Sequence, residues 1–234
     1  MSLHPEARRR SSRLLSIYQK LIGPGDLCFD VGAHVGVRTE LFRSLGARVI
    51  AVEPQPDLAA RLARRWAGDS NVTVVAKALG ATPGCGFLAI PPGASKIASM
   101  APRWRTGRFS DYDWNRTIAI EVGTLDSIIS CYGTPAFCKI DVEGYELQVL
   151  YGLSRPLPVL SIEFTSEFLD DLEACLAYLQ SFGELRVNFT VQEDARWSFP
   201  EWIPPKAVLD SLQQLVMHHP DLWGDVYVAT AKSG

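Results

Sequence analysis

A glycine-rich turn is the first stretch of this sequence whose residue types and spacing could support chemistry. The apolar run from Leu27 to Val31 carries Asp30 near its end, and Gly32 and Gly36 follow it. Glycines in such a turn let a ligand approach the backbone closely, and the first amide groups of a following helix then point at that ligand. The turn is therefore a candidate binding site.

The glycine spacing separates the ligands that use this geometry. A dinucleotide-binding turn needs a glycine two places after Gly32, where this chain has His34. A phosphate-binding P-loop needs Lys and then Ser or Thr after its last glycine, and neither follows Gly36. The remaining Asp-x-Gly-x-x-x-Gly pattern is typical of turns that bind S-adenosylmethionine, whose ammonium group Asp30 is expected to contact directly or through water. The alternative is an ordinary strand-to-helix turn in which Asp30 bonds backbone donors.

A second apolar strand, RVIAVE, supports the nucleotide interpretation because it ends in an acid about 20 residues beyond the turn. Glu53 is the candidate acceptor of the ribose hydroxyl groups, with Pro54 beside it at the start of the next helix. Ala33 and His34 complete the predicted cofactor-binding turn. A third strand, VTVVAKAL, is expected to bring Ala78 near the adenine.

Three carboxylates lie at the ends of the fourth and fifth predicted strands. AFCKIDVEGYELQVLYGL predicts a strand and then a helix, with Asp141 and Glu143 between them, and PVLSIEF places Glu163 at a comparable level. The carboxyl ends of strands line the ligand crevice in an open α/β sheet, so all three are candidate catalytic residues. Two alternatives remain open: Asp141 and Glu143 only stabilise a helix N-terminus, or Asp141 holds a divalent cation that orients a diol. No metal site is assigned.

The alternation of strand and helix patterns predicts an α/β fold of the Rossmann-like type. Its mostly parallel seven-stranded sheet is expected to carry helices on both faces. We predict a capping helix over residues 1–24 and one domain over residues 25–234. Two interruptions are expected: a lid over residues 91–116, enclosed by strands at GFLAI and at residues 117–122, and a C-terminal flap over residues 192–224.

The composition limits the classes of protein that the chain can represent. The chain has 234 residues, 47% hydrophobic and 21% charged, as expected for a globular domain. Its formal net charge of −3 gives no global nucleic-acid footprint. Five cysteines without a C-x-x-C pair predict buried thiols, not a disulfide or zinc framework, and a reducing cytoplasm. We find neither an apolar run long enough to span a membrane nor a secretory signal.

The motifs FDVGAHVG, VIAVEP, GTLDSII and especially KIDVEGYELQVLYG occur in this order, and the sequence resembles the FkbM family of S-adenosylmethionine-dependent methyltransferases over roughly residues 26–165. The resemblance implies S-adenosylmethionine as cofactor. It also implies cofactor contacts at Asp30, Gly32, Gly36 and Glu53, and a signature at Asp141, Glu143 and Gly144. His34 departs from the asparagine usual at its place.

The resemblance also implies the reaction, because members of this family typically methylate hydroxyl oxygens of sugars, polyketides or related metabolites. We therefore expect a small-molecule acceptor and no nucleic acid. An alcohol needs a base as its oxygen is methylated, and the candidates are the three carboxylates. Two alternatives stay open: a methyltransferase acting on RNA or protein through the arginine-rich lid, and a cofactor-binding regulatory or scaffold subunit without catalysis.

Overall fold

The structure of the protein is a computed structural model that describes residues 14–192 and 196–230. Residues 14–18 are helical, whereas most of the predicted N-terminal helix, residues 1–13, lies outside the described residues. Within the described part of the chain, no helix is both long and apolar enough to cross a membrane.

A seven-stranded sheet forms the centre of the fold. Numbered along the chain, its strands are β1 (Leu27–Val31), β2 (Arg48–Val52), β3 (Val72–Val75), β7 (Phe137–Ile140), β8 (Val159–Thr165), β9 (Leu185–Val191) and β10 (Trp223–Thr230). Their spatial order is β3-β2-β1-β7-β8-β10-β9. All neighbours are parallel except β10, which runs antiparallel to both β8 and β9. The predicted mostly parallel seven-stranded sheet is confirmed.

Helices cover both faces of this sheet. Those with both ends among the described residues are α1 (Val37–Ser44), α2 (Pro56–Trp66), α3 (Leu125–Tyr132), α4 (Glu146–Tyr151), α5 (Leu169–Gln180) and α6 (Pro205–His218). Successive residues of a strand point to opposite faces. Cys28 of β1 packs in one apolar cluster with Phe42 of α1, and Phe29 packs in another with Ile129 of α3. Both β1 residues are fully buried, so the α/β fold with two covered faces is confirmed.

A second sheet of three strands lies beside the first. It contains β4 (Ala78–Leu79), β5 (Gly84–Ala89) and β6 (Thr117–Gly123) in the order β4-β6-β5. The predicted single strand VTVVAKAL is wrong, because β3 ends at Val75 and the Lys77 N–H bonds back to the Val75 carbonyl at 3.0 Å. The chain then pairs Ala78 with Val122 in the second sheet. The predicted strands that enclose residues 91–116 are confirmed as the antiparallel pair β5 and β6.

The segment over residues 91–116 is folded against the domain. It contains short 3-10 helices at Ser95–Ile97, Arg103–Arg105 and Gly107–Phe109. Trp104 is 3% exposed and stacks on Phe109 with ring centroids 4.7 Å apart. The other interrupting segment, residues 192–224, contains α6, and its residues 193–195 lie outside the described part.

Candidate active site

The carboxyl ends of the parallel strands open into a cavity of about 580 Å³, within the usual range for a small-molecule site. Its lining includes nine of the residues predicted from the sequence: Gly32, Ala33, His34, Glu53, Pro54, Ala78, Asp141, Glu143 and Glu163. The candidate cofactor residues and the candidate catalytic residues therefore share one cavity.

Asp30 does not line this cavity, and its predicted contact with the cofactor, direct or through water, stays a prediction. Its side chain is 2% exposed and accepts a hydrogen bond from the Thr39 hydroxyl at 2.5 Å. Thr39 belongs to α1, which follows the glycine turn and covers the end of β1. The Asp30 carboxylate therefore ties this helix to the sheet.

The two glycines of the turn are required by packing. Gly32 has a φ of 87°, and a Cβ atom there would lie 1.8 Å from the carbonyl oxygen of Asp141. Gly36 has a φ of 83°, and its Cβ would lie 2.6 Å from a methyl carbon of Leu62 in α2. Gly36 does not line the cavity, and its predicted cofactor contact stays a prediction. Both glycines let the turn approach its neighbours closely.

Glu53 organises the same turn through backbone hydrogen bonds. One carboxylate oxygen accepts the His34 N–H at 2.7 Å, and the other accepts the Gln55 N–H at 2.8 Å. Glu53 is 2% exposed, and burial raises the pKa of its carboxyl group to about 7. A carboxylate oxygen accepts more than one hydrogen bond, so Glu53 keeps acceptor capacity where it lines the cavity.

His34 connects the glycine turn to the 91–116 segment. Its Nε2 lies 3.1 Å from the Ser95 hydroxyl, and the neighbouring Gln55 side chain donates to the Ser95 carbonyl at 3.0 Å. Burial lowers the pKa of the His34 imidazole. The neutral ring thus holds the segment over the cavity, and the predicted place of His34 in the cofactor-binding turn stays a prediction.

Strand register brings the three candidate catalytic acids together. Ile140 of β7 pairs with Ile162 of β8, so the residues that follow them, Asp141 and Glu163, are neighbours. Glu143 follows on the next turn with a φ of 58°, an uncommon conformation for a residue with a side chain. Each of the three acids offers an oxygen within 4.8 Å of the others, a spacing that could also hold a metal ion.

A buried lysine sets the charge of this acidic cluster. The ammonium group of Lys139 lies 3.0 Å from Asp141 and 2.8 Å from Asp225. Burial favours a neutral Asp141, but the Lys139 charge, the hydrogen bonds from Lys139 and Glu163, and the Arg38 charge together lower the pKa of Asp141. Burial and the repulsion from Asp141 raise the pKa values of Glu143 and Glu163 well above the usual range. The cluster therefore combines an Asp141 that favours the ionised form with two glutamic acids that favour the protonated form.

Three further residues complete the site and were missed as site residues in the sequence. Asp225 is buried at the start of β10 and pairs with Lys139. Arg38 lines the cavity from α1. Glu146 supports the turn that carries Glu143. Glu146 accepts the N–H groups of Val142 at 2.9 Å and Gly144 at 3.3 Å. An available signal was Asp225, since a charged residue in the apolar segment DVYVATA needs a buried partner.

Comparison with known proteins gives one family match. A sequence model of the methyltransferase FkbM domain matches residues 30–190, which is more than half of the chain. The curated proteins give no match.

Solved structures of similar fold share little sequence identity with this chain. A precorrin-6y C5,15-methyltransferase from Geobacter metallireducens GS-15 has 11% identity and a TM-score of 0.48, over 94% of this chain and 87% of its own. A candidate rRNA methylase from Clostridium thermocellum has 10% identity and a TM-score of 0.44, over 100% of both chains. TYW2 from P. horikoshii, in complex with MeSAdo, has 9% identity and a TM-score of 0.47, over 99% of this chain and 66% of its own.

Proposed function

The chain belongs to the FkbM family of S-adenosylmethionine-dependent methyltransferases, and we propose that it methylates a hydroxyl oxygen of a small metabolite such as a sugar or polyketide. The observation that carries the proposal is the acidic cluster beside the cofactor turn, in which Lys139 keeps Asp141 ionised. An ionised carboxylate there can take the proton that a hydroxyl group loses on methylation.

The residues present fit S-adenosylmethionine, which is the cofactor of this enzyme. The carboxylates of Asp141 and Asp225 line the cavity and complement a ligand with two positive groups. Glu53 offers acceptor oxygens for ribose hydroxyl groups, as the sequence predicted. When bound, the cofactor supplies an electrophilic methyl group on a positively charged sulfur.

The split in pKa values suggests different roles for the three acids. In our proposal Asp141 is the base, because it is the member of the cluster that is held ionised. Glu143 and Glu163 favour the protonated form, and in that form they donate hydrogen bonds that orient the acceptor oxygen. Neighbouring carboxyl groups with pKa values pushed in opposite directions commonly divide the work in this way.

The 91–116 segment is the proposed acceptor lid. Trp104, Phe109 and Tyr112 line the cavity from this segment, and Trp223 lines it from β10. Aromatic faces of this kind suit a sugar ring or another flat, partly apolar acceptor. An RNA acceptor is less well supported, because the acids in the cavity repel phosphate groups.

The proposal is tested by incubating the protein with S-adenosylmethionine carrying a labelled methyl group. The acceptors are a panel of glycosides and hydroxylated polyketides, with structured RNA and unrelated proteins as the other arms. We expect label in a methyl ether of a panel member, identified by mass spectrometry and NMR. Transfer to nitrogen or carbon, or to RNA or protein alone, would contradict it. Tight cofactor binding without transfer to any arm would favour the non-catalytic alternative.

A further inference from the structure

The cavity is lined by several cationic side chains, of which only some have a close acidic partner. The cationic residues in its lining are Arg38, Lys77, Lys96, Arg108 and Lys139. Three of them form close ion pairs with carboxylates: Lys77, Arg108 and Lys139. Lys96 is exposed on the lid. Arg38 differs from the other four, because it is largely buried and has no close ion pair among the described residues.

Arg38 presents unused hydrogen-bond donors to the cavity. Its side chain is 16% exposed, and Asp225, the one described carboxylate within ion-pair range, lies 4.0 Å from Nη2. That separation is too long for a hydrogen bond, and the Arg38 guanidinium donates none within the described part of the chain. A guanidinium carries five N–H donors, and Arg38 lines the cavity with none of them bonded to a described acceptor. The side chain is thus arranged for a ligand that accepts hydrogen bonds.

The charges of the cofactor indicate which ligand group this is. S-adenosylmethionine carries a sulfonium and an ammonium group, which the cavity carboxylates attract, and a single carboxylate, which they repel. That carboxylate therefore needs a cationic partner that is not already closely paired with an acid of the protein. Arg38 lies two residues after Gly36, in the first turn of the helix that follows the cofactor turn.

We propose that Arg38 binds the carboxylate of the methionine moiety of S-adenosylmethionine. A planar guanidinium matches a carboxylate with two parallel hydrogen bonds, whereas the ammonium of exposed Lys96 is a strongly hydrated point charge. Asp225, at 4.0 Å, limits the movement of the Arg38 side chain without occupying its donors. The proposal depends on the cofactor and is independent of the acceptor.

The test measures binding of two ligands by isothermal titration calorimetry. One is S-adenosylhomocysteine, and the other is its decarboxylated analogue, which keeps the ammonium group and lacks the carboxylate. Arg38→Leu should weaken S-adenosylhomocysteine binding about 10- to 100-fold, as expected for charge-assisted hydrogen bonds. It should change binding of the decarboxylated analogue by no more than about threefold. Arg38→Lys should restore part of the loss, because the charge is kept without the fork geometry.

Arg43→Leu is the matched control, since Arg43 lies on the same helix but pairs with Asp69 outside the cavity. It should bind both ligands as the parent does. If Arg38→Leu weakens both ligands equally, or weakens neither, the proposal is overturned. Unchanged S-adenosylhomocysteine binding combined with weaker binding of a carboxylate-bearing acceptor would assign Arg38 to the acceptor and also overturn it. Because the parent must bind S-adenosylhomocysteine in every arm, a wrong assignment of the acceptor hydroxyl does not affect the result.

Discussion

Replacing Asp141 by Asn tests the proposed base with little change in shape. The substitution removes the carboxylate that Lys139 holds ionised, while Lys139 keeps its 2.8 Å partner Asp225. Lys139 is buried but keeps Asp225 as a partner, so loss of the Asp141 ion pair should cost less than the roughly 3–5 kcal/mol of a buried charge left without any partner. Loss of general-base assistance should lower kcat about 10²- to 10⁴-fold, or about 3–5 kcal/mol at 1.36 kcal/mol per tenfold. The catalytic effect is separated from the structural one by measuring the rate of protein that is folded and binds the cofactor.

Asp69→Asn is a matched control for this experiment. Asp69 is 26% exposed and pairs with Arg43 at 2.6 Å, yet it lies outside the cavity lining. Both variants are compared with the parent by thermal unfolding, S-adenosylhomocysteine binding and single-turnover methyl transfer. The control should stay within about threefold of the parent rate. A folded Asp141→Asn protein that binds normally and also stays within about threefold would refute the role of Asp141 as base.

The pH profile provides a second readout of the same substitution. Asp141 raises the pKa values of Glu143 and Glu163, so its removal lowers them. The two glutamic acids then ionise at lower pH and stop donating hydrogen bonds. We expect the alkaline loss of residual activity in Asp141→Asn to begin at lower pH than in the parent, and an unchanged alkaline limb would contradict the proposed division of roles.

Two stability predictions follow from the turns around the cavity. Gly32→Ala should prevent stable folding, because its Cβ would lie 1.8 Å from the carbonyl oxygen of Asp141. Gly36→Ala should destabilise the protein less, because the flexible Leu62 side chain, 2.6 Å from its Cβ, can move. Equal melting temperatures of the two variants would contradict this prediction. Burial raises the folded-state pKa of Glu146 to about 7, so between about pH 4.5 and 7 the folded state binds more protons than the unfolded state. The free energy of unfolding should therefore fall as the pH rises through this range, by up to about 3 kcal/mol from this group. Denaturant titrations of Glu146→Gln should show a smaller fall than the parent, and an equal fall would exclude Glu146 as its source.

Much of the site was predictable because parallel strands bring their carboxyl ends to one edge. Glu53, Asp141 and Glu163 each follow or end an apolar run that could be recognised as a strand. Their convergence on one cavity therefore needed only the order of the elements. The identity of the cofactor followed similarly, because the spacing of Gly32 and Gly36 excludes the phosphate-binding turns.

The role of Asp30 was not predictable, because it depends on a contact made after folding. A strand-end acid looks the same in the sequence whether it faces a ligand or a helix. In the folded protein the Thr39 hydroxyl donates a hydrogen bond to the Asp30 carboxylate. The break between β3 and β4 is similar, since the apolar pattern of VTVVAKAL continues through a turn that only the hydrogen bond from Lys77 to Val75 reveals.

The partner of Lys139 was also hidden by distance along the chain. Asp225 lies 86 positions further on, in the last described strand. Only β8 lies between β7 and β10 in the sheet, so the Asp225 side chain can reach Lys139. A buried ammonium group with one partner would leave Asp141 fully committed to neutralising it. With Asp225 as the second partner, Lys139 can keep Asp141 ionised while Asp141 remains 27% exposed to the cavity. The antiparallel strand β10 thus supplies the Asp225 carboxylate that shares the neutralisation of Lys139. In our proposal this leaves the Asp141 carboxylate available to act as the base.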